Sequence, residues 1–149
     1  MTIIPATPAH AADIAQLIMT AMTEDCCQYL AGKEHTLDDF YHMMLDLVLM
    51  DDSQYSWRNA FVAVDEEATE GNVEYAPGAG AIVGYNGADL HRLRRRFQEE
   101  ALKQLQMDYS QMDDETEAGE FYLDSLAIYP EYRRRGIARQ LLKRATEHA

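Results

Sequence analysis

The chain has 149 residues and a mass of 17.0 kDa, with 47% hydrophobic and 26% charged residues. That is the size of one ordinary domain, too apolar for general disorder and long enough to bury a core without disulfides or metals. Its 13 Lys+Arg against 26 Asp+Glu leave a net charge of −13 and a pI near 4.6, which argues against a general nucleic-acid binder, because phosphate binding rests on lysine and arginine displacing counterions.

The imbalance is local. Residues 1–90 hold only Lys33 and Arg58 against 15 acidic residues, whereas residues 91–149 hold 11 of each sign. The N-terminal MTIIPATPAH lacks the basic and apolar regions of a signal peptide. No apolar run approaches the ~20 residues needed to cross a bilayer. Cys26 and Cys27 are adjacent, close no useful loop and have no zinc-ligand spacing around them. These features predict a reduced, cytoplasmic protein with no metal, no membrane partner and no nucleic-acid partner.

In chain order, Thr2–Ala6 reads as a short edge strand. Thr7 offers an N-cap and Pro8 a first helical position, and Ile14, Leu17, Ile18, Ala21 and Met22 place one apolar face on a helix over 8–22. A second helix starts at Thr36, with Asp39 three residues on as an acidic capping box. Its stripe is Phe40, Tyr41, Met44, Leu45 and Val48, and Asp51-Asp52 marks its exit. Ala60–Val64 and Ala79–Tyr85 read as a hairpin joined by a long acidic connection, with breakers at Gly71-Asn72 and Pro77-Gly78.

Residues 88–107 return to helical period, with Arg95–Glu99 and Arg96–Glu100 as expected i,i+4 pairs and Arg94-Arg95-Arg96 as a solvated face. Residues 108–120 hold six acids and no base, and read as a solvated loop. Phe121–Ile128 is the clearest strand. Pro130 ends it, and Ile137, Leu141, Leu142 and Ala145 mark a last helix. The chain is expected to form a single domain over 1–149 with a mixed α/β fold.

The stretch Leu123–Leu142, LDSLAIYPEYRRRGIARQLL, sets a strand, a proline turn, three arginines, a glycine and a helix in succession. A turn feeding a helix N-terminus presents unpaired N–H groups and the positive end of the helix dipole, which favour anions. Gly136 allows close backbone approach, Ala138 leaves room in the first turn, and the arginines add charge-assisted bonds.

Here Arg133-x-x-Gly136-x-Ala138, preceded by Leu-Ala-Ile and Tyr-Pro, resembles the signature of the GCN5-related N-acetyltransferases, the GNAT superfamily. The upstream order of strand, two helices and hairpin is similar too. The resemblance implies a central, mostly antiparallel sheet flanked by helices, with acetyl-CoA as co-substrate and an amine as acceptor. By position, Leu126, Ala127 and Ile128 would meet the pantetheine and thioester, and Arg133, Arg134, Arg135, Gly136, Ile137 and Ala138 the pyrophosphate.

Two departures stand beside it. A helix and acidic loop over 88–119 are inserted between the last two strands, and either shape the acceptor site or form a surface helix or dimer contact. The family's further strands and helix do not follow residue 149, so the chain reads as C-terminally truncated, with an exposed strand edge that would invite a homodimer. Acetyl transfer to an amine needs a base. Asp124 ranks ahead of Glu120, the two falling on one face of a regular strand with Tyr122 between them. Each carboxylate also has a plain structural reading, as a backbone partner or a loop end. His10, His35, His42 and His91 show no pairing spacing, and Tyr55, Trp57 and Tyr85 line either a cleft or the core. The leading expectation is a direct-transfer N-acetyltransferase. The alternatives are a non-catalytic acyl-CoA-binding or regulatory module and a simple phosphate or nucleotide binder.

Overall fold

The structure is a computed structural model that describes residues 1–66 and 76–149. Four strands, β1 (Thr2–Pro5), β2 (Ala60–Val64), β3 (Gly78–Asn86) and β4 (Phe121–Ile128), lie in the order β1-β2-β3-β4, and every neighbouring pair is antiparallel. The helices are α1 (Ala11–Met22), α2 (Glu24–Ala31), α3 (Leu37–Leu49), α4 (Leu90–Glu100) and α5 (Ile137–His148).

The period-two alternation of the strands divides them between two layers. Val62 and Val64 of β2, with Ala81 and Val83 of β3, pack into the main core under α1, α3 and Phe97 of α4. Phe61, Ala63 and Ile82 point the other way and meet Ile137, Leu141 and Ala145 of α5. β2 is therefore buried on both faces, which explains its uninterrupted apolar run. Phe40, Met43, Met44 and Leu47 supply the stripe of α3 and are fully buried; each such side chain contributes about 1.5–3 kcal/mol.

The capping box at α3 forms as the sequence predicts. The Asp39 N–H donates to Thr36 Oγ1 at 3.2 Å and the Thr36 N–H to Asp39 Oδ2 at 2.9 Å. The hairpin strands also form, whereas the Gly71-Asn72 breaker lies outside the described residues. α2 is an element the apolar pattern did not announce. It is short and mostly exposed, burying only Cys27 and Ala31. Its punctuation was present all the same: Thr23 Oγ1 accepts from the Cys26 N–H at 3.3 Å, Glu24 and Asp25 open the first turn, and Gly32 at φ +86° closes it.

The insertion corrects two further expectations. Arg94 does not lie on a solvated face: its side chain is only 4% exposed and reaches back into the loop that follows. Arg96 does not pair with Glu100. It holds Asp52 at 2.9 Å and Glu99 at 3.3 Å, fastening α4 to the exit of α3, and Glu100 instead accepts from Gln104 at 2.8 Å. Among the described residues no helix is long and apolar enough to cross a membrane.

Candidate functional site

β4 ends at Ile128, and the chain then makes a single turn of 3-10 helix at Pro130–Tyr132 before the arginines. Arg134 at φ +66° and Gly136 at φ +76° both take the left-handed conformation that turns the backbone into α5. For arginine that conformation costs about 1 kcal/mol. A Cβ on Gly136 would meet nothing within 4 Å, so the glycine is there for its backbone angle. Nothing precedes α5 to accept its first N–H groups within the helix, and they open with the positive end of its dipole.

A groove of about 630 Å³ runs along this corner, between the end of β4, the arginine turn and the last turn of α1 at Thr20 and Ala21. It gathers Leu126, Ala127, Ile128, Arg133, Arg134, Gly136, Ile137 and Ala138. Ile137 offers only its backbone, since its side chain is buried under the sheet. Arg133 also braces the turn, donating from Nε to the Ile128 carbonyl at 3.1 Å. Arg135 is not among the groove's residues and lies over the Tyr132 ring at 5.4 Å. Arg139, one residue beyond the recognised motif, takes a place in the lining.

The second part of the site comes from a break in β4. Val83 pairs with Ser125 but Gly84 with Leu123, leaving Asp124 as the extra residue of a β-bulge. Strict alternation would put Tyr122, Asp124, Leu126 and Ile128 on one face. The bulge separates them. Tyr122 and Asp124 face Tyr85, which packs with Leu90 and Leu93 of α4, while Leu126 lies opposite Ile82 and Ile128 packs toward α5.

Asp124 accepts from Gln54 Nε2 at 3.3 Å, from the Tyr85 hydroxyl at 3.4 Å and from Ser125 Oγ at 3.4 Å. Burial, reinforced by the negative charge of Glu115, pushes its carboxyl up to about 6 despite those three bonds. Burial likewise raises the hydroxyls of Tyr55 and Tyr85, and lifts Tyr122 to about 12, with the negative charge of Glu115 again contributing. Glu120 is placed differently. It lies just before β4, and its carboxylate accepts from Thr116 Oγ1 and from the Glu117 N–H, both at 3.1 Å, closing its own loop.

Sequence reasoning missed Gln54 and Glu115. Gln54 is buried and immediately precedes Tyr55, one of the aromatic residues singled out, but nothing in one sequence ties it to a strand 70 residues away. Glu115 was one of six acids in a loop. The histidines stay apart from this site. His10 receives the Thr7 N–H at Nδ1 over 3.0 Å and has its pKa lowered by burial; His35 contacts Asp39 and Gln106, and His91 contacts Asp114.

A family model described as "Acetyltransferase (GNAT) family" matches residues 35–149. Two solved structures resemble the whole chain. One, described as an acetyltransferase, has a TM-score of 0.77 at 21% identity and matches 100% of this chain and 74% of its own. The other, an N-acetyltransferase from Staphylococcus aureus Mu50, has a TM-score of 0.71 at 22% identity, matching 100% and 76%. At these identities the likeness is one of fold. No curated protein sequence matches the chain.

Proposed function

The chain belongs to the GNAT acetyltransferase family, and on that premise we propose that it moves an acetyl group from acetyl-CoA to a primary amine in a ternary complex, with Asp124 as the base. One observation carries this reading: a buried carboxyl raised to about 6 stands two residues before the strand end that lines the groove. Two residues of strand span roughly 7 Å, a distance that one substrate bridges.

The groove fits the co-substrate. Arg133, Arg134 and Arg139, with the first N–H groups of α5, suit a pyrophosphate. β4 is the last strand of the described sheet, so its outer N–H and C=O groups are available to an extended amide-bearing arm, as in strand addition. Acetyl-CoA supplies an acyl carbon activated by its thioester. A β4 N–H directed at the carbonyl oxygen would stabilise charge there, in the manner of an oxyanion hole.

Asp124 takes one proton from the acceptor ammonium. The neutral nitrogen then bonds to the acyl carbon, the carbon–sulfur bond breaks, and a second nitrogen proton leaves with the sulfur. Amide, thiol and one proton on Asp124 account for every atom. A carboxyl near 6 is ionised at neutral pH yet basic enough to receive that proton.

The test has two arms. CoA is expected to bind saturably in a calorimeter where free adenine nucleotides do not. Asp124→Asn is expected to keep CoA affinity and to lose roughly 100-fold or more in turnover, measured by thiol release with an amine panel. Turnover surviving in Asp124→Asn would remove Asp124 from the mechanism. CoA binding with no turnover on any amine would leave an acyl-CoA-binding module.

A further inference from the structure

We propose that Asp13 is a positioning residue for the co-substrate: through the Tyr129 hydroxyl it fixes the spacing between the two walls of the groove at the arginine turn, and so sets the affinity for CoA. The proposal rests on the acetyl-CoA reading of that groove and adds to it a residue of α1 that lies far outside the recognised motif.

One wall of the groove is α1 at Thr20 and Ala21, and the other is the end of β4 with the arginine turn. Ile14, Leu17 and Ile18 press α1 into the main core, but apolar contact is non-directional and leaves a helix free to slide or roll by a little. Directional bonds remove that freedom, and Asp13 in the first turn of α1 makes two. Its Oδ1 accepts from the Tyr129 hydroxyl at 2.9 Å, and its Oδ2 accepts from the Gly78 N–H at 2.8 Å. One half-buried carboxylate thus fastens α1 to the start of β3 and to the residue after β4. A Cβ on Gly78 would stand 3.2 Å from Asp13 Oδ2, so a larger residue there would crowd the join. Thr20 follows Asp13 by seven residues, which in an α-helix is two turns, roughly 10 Å, and nearly the same face. The face that Asp13 fastens is therefore the face that lines the groove.

Tyr129 stands where strand becomes turn. Its N–H donates to the Ala79 carbonyl at 2.9 Å, extending the β3–β4 ladder, and its own carbonyl accepts from the Tyr132 N–H at 2.9 Å, closing the turn. On either side of it lie Ile128 and Arg133, which both line the groove and are joined by the bond from Arg133 Nε to the Ile128 carbonyl. Any displacement of Tyr129 is therefore passed to both. Burial and the Asp13 charge raise the Tyr129 hydroxyl, which stays protonated and keeps the donor role. A hydrogen bond to a carboxylate is roughly twice as strong as a neutral one, so the strut is a stiff one.

The experiment measures CoA affinity by calorimetry in the wild type, Tyr129→Phe, Asp13→Asn, their double variant and Thr36→Ala, with acetyl-transfer kinetics and amide exchange on the same proteins. Tyr129→Phe removes one oxygen and is expected to weaken CoA about fivefold, the scale of one hydrogen bond. The KM for acetyl-CoA should rise in step, while kcat and the KM for the amine hold. The double variant should bind no more weakly than Asp13→Asn alone, because the two single changes break the same bond. Thr36→Ala, which removes the α3 cap, loosens the fold elsewhere and should keep CoA affinity. Unchanged affinity in Tyr129→Phe, a fall in kcat in place of affinity, losses that multiply in the double variant, or an equal loss in Thr36→Ala would overturn the proposal. If the wild type binds no CoA, the acetyl-CoA reading falls and exchange decides whether the strut sets the groove. Faster exchange in Tyr129→Phe confined to 126–136 supports it, and unchanged exchange there refutes it.

Discussion

Burial of Asp124 pushes its carboxyl above the ordinary value of 3.8 to about 6, and the same shift has a consequence for the fold. The folded chain binds this proton more tightly than the unfolded one, so stability falls as pH rises from 3.8 to about 6 and stays lower above that. The ceiling on the effect is about 3 kcal/mol. Asp124→Asn keeps an acceptor for Gln54 and Tyr85 and lacks the charge. It should therefore be more stable than the wild type at neutral pH by an amount up to that ceiling, with the gap closing below pH 4, as urea titrations at the two pH values would measure. The same group predicts that wild-type kcat/KM climbs through about pH 6. A gap that does not change with pH would place the buried charge elsewhere. A residue whose removal stabilises the fold while ending turnover is one held in place for chemistry rather than for packing.

The insertion between β3 and β4 shows how an element can be legible in outline and opaque in purpose. Helical period over 88–107 announced α4, and Leu93 and Phe97 are buried as that period requires. The role of Arg94 was hidden because an arginine run is usually a solvated face, and only the return of the chain at 112–114 gives this guanidinium its carbonyl and carboxylate partners. Gln98 adds a bond to the Tyr109 carbonyl at 2.9 Å, and the Tyr109 hydroxyl reaches the Leu30 carbonyl of α2 at 2.6 Å. Replacing Arg94 with Met keeps an apolar stem and deletes the clamp. The expected cost is about 1–3 kcal/mol, with faster amide exchange confined to residues 112–117 and no change in β2 or β3. Unchanged exchange in that segment would show that the loop is held by other contacts. The bulge at Asp124 was opaque for a related reason. Alternation along Phe121–Ile128 is a local pattern, whereas a register shift is a property of the pair of strands. α2 escaped because caps and glycine, rather than an apolar stripe, define it.

On the scale of the whole molecule, the charge split in the sequence has a spatial counterpart. The acidic residues 1–90 build three strands and the three helices α1, α2 and α3, while the balanced C-terminal part places one of its two arginine clusters on α4 and the other at the turn into α5. That turn was readable in one sequence because a strand, a proline, a glycine and a helix start are consecutive there. The proposed base site was not readable as a whole, since Gln54, Tyr85, Glu115 and Asp124 come from four separate segments. A net charge of −13 works against the compact state through self-repulsion, and on the proposed amine-acetylating reading the same field would draw cationic acceptors toward the protein. Salt should move these two effects in opposite directions. At about 0.5 M salt, where the screening length falls to roughly 4–5 Å, the melting temperature is expected to rise because repulsion is relieved. Under the same conditions kcat/KM for an amine should fall, because its attraction is screened. CoA affinity should weaken as well, since the arginine turn proposed to hold its phosphates is exposed. Thermal scans following Trp57 fluorescence, paired with kinetics across the same salt series, separate the two effects. Turnover that holds steady while the melting temperature rises would mean that the acidity serves the protein's surface and not its acceptor.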